Sequence, residues 1–142
     1  MTVAIASIPA VDSSPEKIKA QKVIQLVSLL HRKYTHEISH CVSRMQKFKE
    51  NIDKDPAHAF EWSDEYFQVA ANHKVASILA ASISGENFSL YAMRDYLMGS
   101  ILSGARHPAS STSQASNVFE QRKLAAFTEA YRVLAGYMEL LD

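Results

Sequence analysis

Cysteine is almost missing from this chain of 142 residues: the single Cys41 has no internal disulfide partner, so packing alone must hold the fold. A reducing, cytoplasmic home is therefore the expectation, and Met1–Ser14, which carries no Lys or Arg and is broken by Pro9, does not read as a secretory leader. Glycine and proline are scarce, four of each, too few punctuating residues for an all-β or repeat architecture built of many short elements. Charge of one sign is missing too: 15 basic residues balance 15 acidic ones, leaving no global field to draw the molecule to nucleic acid or anionic lipid. Nor is there a long apolar run, since Val69–Ile83 is interrupted by Asn72, His73 and Lys74 and falls short of the ~20 residues a membrane-spanning helix requires. No internal repeat, low-complexity tract or glycine-rich phosphate loop is present.

What the chain does have is hydrophobic periodicity. From Val23 the apolar positions Val27, Leu30, Tyr34, Ile38, Cys41, Met45, Phe48 and Ile52 follow at steps of three and four. At 100° per residue all nine fall within about 40° of one line, a seam shaped for another helix. Ser14-Pro15-Glu16 supplies the start of that helix, with a hydroxyl to cap free N–H groups, a proline in the first turn and an acid at the positive end of the dipole. Pro56, preceded by an Asp/Asn cluster, ends it.

A second helix is expected over about 57–82, with apolar residues on two sides, Phe67, Ala71, Val75 and Leu79 on one, Trp62, Val69, Ala76 and Ala80 on the other. A shorter third helix over about 88–102 should stop at Ser103-Gly104, and Arg106–Asn117 reads as a Ser/Thr-rich loop. Leu124, Phe127, Tyr131, Leu134, Met138 and Leu141 mark a fourth helix over about 118–141. The expected fold class is all-α: a flexible N-terminal tail over residues 1–14, then a single domain over 15–142, an antiparallel four-helix bundle with a long first helix.

One pentapeptide carries candidate chemistry. His36-Glu37-Ile38-Ser39-His40 places two imidazoles four residues apart with a carboxylate between them, as a helix would to hold zinc and polarise its bound water. Over these five residues the chain resembles the zincin proteases, which implies zinc as cofactor, His36 and His40 as ligands and Glu37 as the catalytic base of a hydrolase. The resemblance stops there, because Ser43 and Gln46 stand where the elongated motif has its glycine and third histidine. With the seam at zero, His36 and His40 lie at about 200° and 240°, on the far side from the core. Glu37-x-x-His40 also matches half of a di-iron bundle site, but no other histidine follows a glutamate at that spacing. Cys41, in the middle of the seam, reads as a buried and inert thiol.

Local charge is uneven. Pro15–Glu50 holds eight Lys/Arg against three Glu, and Lys19, Lys22, Lys33, Arg44 and Lys47 share one flank of the first helix with the two histidines. Such a flank could track a phosphate backbone, although Leu26 and Leu29 interrupt it. Asp53, Asp55, Glu61, Asp64 and Glu65 could answer it from the second helix.

Apolar residues in surplus of the seams, at Ile24, Leu26, Leu29, Val42, Val133, Tyr137 and Leu140, point instead to a non-enzymatic helical module that binds another protein or another copy of itself as a homo-oligomer. Leu26, Leu29, Lys33, Arg44 and Lys47 are the expected contact residues, with no cofactor and no membrane. A zinc hydrolase and a nucleic-acid-binding helix are the alternatives.

Overall fold

The structure, a computed structural model, describes residues 14–106 and 114–141. Four helices account for nearly all of them: α1 (Pro15–Lys54), α2 (His58–Ile83), α3 (Leu90–Arg106) and α4 (Gln114–Glu139). The chain is a four-helix bundle, and no strand occurs among the described residues. Residues 1–13 of the expected tail and 107–113 of the expected loop lie outside the described residues.

Local chemistry sets the helix ends. The Ser14 hydroxyl accepts from the Lys17 amide at 3.3 Å with Pro15 in the first turn, so one orphan donor is satisfied and proline's missing N–H costs nothing. At the other end the Asp55 carboxylate accepts from the Ala57 amide, folding the chain over Pro56 into α2. Ser89 starts α3: its hydroxyl accepts from the Ala92 amide at 3.4 Å and its carbonyl from the Met93 amide.

Two expected boundaries are corrected. Helix α3 runs through Gly104 to Arg106 rather than stopping at Leu102, because Gly104 keeps helical backbone, with no positive φ, and sits where a Cβ would come within 2.9 Å of Leu124 on α4. A glycine read as a stop signal instead lies within the helix, facing the Leu124 side chain. Helix α4 starts at Gln114, four residues earlier than expected, since polar residues at a helix start need no apolar partner.

Helix α1 packs antiparallel on α2: His31 meets Ser84 (3.3 Å), Arg44 meets Glu65 (3.9 Å) and Phe48 meets Trp62 (ring centroids 6.2 Å), the second number falling as the first rises. Helix α2 then lies beside α4 in the same sense, with Arg122 of α4 bonded to Asp64 and Gln68 near the start of α2. Helix α3 packs on α4, where Tyr96 meets Phe127 edge to face. α2 is thus walled on two sides, which explains its two apolar faces.

The main core joins all four helices around Leu30, Leu79, Leu97 and Leu134, each essentially without solvent exposure. Leu26, expected on the surface, is only 7% exposed and belongs to this core. Beyond it, the 40 residues of α1 reach ~60 Å while the 17 of α3 reach ~26 Å. The excess of α1 pairs with the first half of α2, forming an arm held by a second, smaller cluster of Cys41, Phe48 and Val69 with Met45 and Trp62 against it.

Unequal clusters imply unequal stability. Leu79→Ala should lower global stability by roughly 2–5 kcal/mol in urea denaturation. Phe48→Ala should instead loosen the arm: the Cys41 thiol should react with an aromatic disulfide reagent more than ~10-fold faster, with most helical circular dichroism retained.

Candidate functional site

Helices α1 and α4 both lean on α2 yet scarcely touch each other, and the space between them is a cleft. Its inner part, a cavity of about 140 Å³, is walled by Lys33, Tyr34 and Glu37 of α1, by Val75 and Ala76 of α2, and by Glu129 and Val133 of α4. Its outer part, about 650 Å³ and open to solvent, lies between Lys22, Leu26, Leu29 and Arg32 of α1 and Tyr137 of α4, with Leu140 and Leu141 just past the end of that helix. One helical flank explains the α1 wall: Leu26, Leu29, Lys33 and Glu37 follow one another at steps of three and four.

Inside, the Tyr34 ring is 4% exposed and its hydroxyl is shut off from solvent with no hydrogen-bond partner. Burial first, then the nearby Glu37 carboxylate and the Tyr137 phenol, push its pKa up to about 12. The phenol is therefore a neutral donor with nothing to donate to. The Lys33 ammonium lies 5.6 Å from the centre of the Tyr34 ring and 4.0 Å from the Glu37 carboxylate. Across the cleft Glu129 is held by Arg132 at 3.0 Å, so both inner carboxylates have a cation on their own helix. Among the described residues, Lys22 and Arg32 at the outer end make no ion pair.

His36 and His40 are both exposed on α1, one turn apart, and the carboxylate between them is engaged by Lys33. Among the described residues no group of three or more His, Cys, Asp or Glu side chains gathers where a metal ion could sit, so the pentapeptide finds no third donor. Cys41 is buried, and burial, with Glu37 adding and Arg44 opposing, raises its pKa. Its thiol stays protonated and shielded, the opposite of what a nucleophile requires.

Part of the basic flank is met internally. Arg44 reaches Glu65 of α2 and lies over the Phe48 ring at 5.9 Å, and Lys33 pairs with Glu37, while Lys47 is exposed. Asp64, an expected partner for that flank, turns to Arg122 of α4 instead. Of the surplus apolar residues, Leu26, Leu29, Val133, Tyr137 and Leu140 all line the one cleft. Ile24 and Val42 do not. Arg32 and Gln25 complete the outer wall and carried no signal of their own, because neighbours across a cleft share no sequence spacing, while Leu141 had marked only the seam of the fourth helix.

Compared with known proteins, the chain matches no family model, no curated protein and no solved structure. Among the described residues no helix is long and apolar enough to cross a membrane.

Tyr34 gives the cleft a measurable signature. In the unfolded chain the phenol ionises near its ordinary 10, whereas in the folded protein it holds its proton to about 12. Stability should therefore be intact below pH ~10 and fall between ~10 and ~12, by an amount on the order of 2 kcal/mol. Tyr34→Phe should lose that fall, and near neutral pH it should be neutral or mildly stabilising, since it removes an unsatisfied buried hydroxyl. Urea titrations of both proteins at about pH 9 and pH 11.5 read the difference.

Proposed function

We propose that this protein is a non-enzymatic helical module that binds another protein, a second copy of itself included, and that the α1/α4 cleft is the contact surface. One observation carries the reading: apolar side chains that the bundle does not need are gathered along a single open groove, where Leu140 is 72% and Leu29 40% exposed. Exposed leucines scattered singly are ordinary, but two of them bordering a concave strip with a half-buried tyrosine mark a surface that gains by being covered.

Supporting the binding role is the chemistry the groove lacks. Its inner carboxylates pair with Lys33 and Arg132, its phenol is held protonated, and the one thiol lies in the arm. Complementary packing is what this surface offers. The expected contact residues Leu26, Leu29 and Lys33 line it directly, and Arg44 and Lys47 continue the same flank of α1 into the arm.

A photo-cross-linking residue at position 140 tests this against one at position 24, where Ile24 is just as exposed (68%) but outside the cleft. Adducts from position 140 and not from 24, suppressed by Leu29→Glu, are the expected result. Dimer adducts that track the oligomeric mass in sedimentation equilibrium would assign the partner as self; equal or absent adducts at the two positions would remove the reading.

A further inference from the structure

The outer half of the cleft has a shape and a charge that narrow what can occupy it. Its floor is Leu26, backed by Tyr137, and Leu29 and Leu140 stand on opposite lips. Lys22 and Arg32 bracket the α1 side about 15 Å apart, the length of some three helical turns. Among the described residues they are the only charged groups lining this half of the groove, they have the same sign, and neither is matched by an acid.

An apolar trough with α1 along one wall, and the last turn of α4 continued by Leu140 and Leu141 as the other, can seat a third helix along α1, its apolar stripe at three- and four-residue spacing settling on the floor. Two unmatched cations along one wall then select the flank of the incoming helix. A bare polyanion would meet the cations but leave the leucines in water. From this we infer that the α1/α4 groove is a receptor for a single acidic amphipathic helix of about three turns, lying alongside α1 with its carboxylates toward Lys22 and Arg32 and its apolar stripe between Leu29 and Leu140. The inference rests on the protein-binding reading and adds to it the chemical class of the partner.

Complementarity of this kind makes binding sensitive to salt and to charge sign, which separates it from unselective burial of leucine. The probes are two fluorescein-labelled synthetic peptides of about 14 residues, both helical and with leucine at three- and four-residue steps, one bearing glutamate at every flanking position and the other lysine. Fluorescence anisotropy against the full chain should show the glutamate peptide binding at least ~10-fold more tightly than the lysine peptide, with the gap shrinking as salt rises. Lys22→Glu with Arg32→Glu should reverse that order, and because both side chains are exposed, the double variant should keep its circular dichroism and the fluorescence of Trp62. Leu140→Glu should weaken both peptides, whereas Ile24→Glu should affect neither.

Equal affinity for the two peptides, a preference for lysine, or indifference to the charge reversal would overturn the acidic-helix assignment while leaving a protein-binding cleft in place. So would a dimer that closes the groove and that Leu140→Glu dissociates, because the occupant would then be a second copy. Failure of both peptides to bind would overturn the inference, and only a matching absence of cross-links from position 140 would take the protein-binding reading with it.

Discussion

Helix α2 buries two faces at once, and the rest of the architecture depends on that constraint. One face takes α1 along nearly its whole length, through Leu30, Tyr34, Cys41 and Phe48 on the α1 side. The other takes α4, which lies parallel to it and is pinned near its start by Arg122 to Asp64 and Gln68. With both faces occupied, α1 and α4 are held apart by the width of the helix beneath them, and no rearrangement of loops alone could close them. The cleft is thus a consequence of how α2 is shared rather than an accident of surface shape.

That geometry explains why polar and apolar features coexist on the α1 flank. The groove floor is covered enough to bury Leu26 and the Tyr34 ring, so the Tyr34 hydroxyl loses water and gains no partner, which burial and the Glu37 carboxylate turn into a phenol that resists ionisation. The lips stay in solvent, so Leu29 and Leu140 remain exposed and the cations of α1 remain hydrated. A surface of this type loses little by standing open and gains by being covered.

The arm is a different regime of the same helices. Beyond the main core, three buried side chains with an aromatic cluster of Phe48, Trp62, Tyr66 and Phe67 hold α1 to α2, and α4 touches this part of α2 through Arg122. A pair of helices can bury one stripe each and no more, so Val42, and Tyr66 at the edge of the aromatic cluster, stay partly in water. Opening of the arm at lower cost than the bundle follows from that thin cluster.

The sequence by itself determined that the chain is all-helical, where α1 begins and ends, and which stripe of α1 is buried, because periodicity, capping and proline geometry are properties of residues close along the chain. All nine seam positions from Val23 to Ile52 are buried or half-buried, and His36 and His40 fall outside as the helical wheel requires. It also marked Leu26, Leu29, Val133, Tyr137 and Leu140 as more apolar than the seams need. Only the tertiary structure decided that these five meet in one groove, that Leu26 is core as well as wall, that Gly104 lies within α3 facing Leu124 instead of ending it, and that Asp64 answers α4 rather than α1. Each of those outcomes depends on which helix becomes the neighbour of which. That choice is made by whole-surface burial among four helices, and no local spacing encodes it.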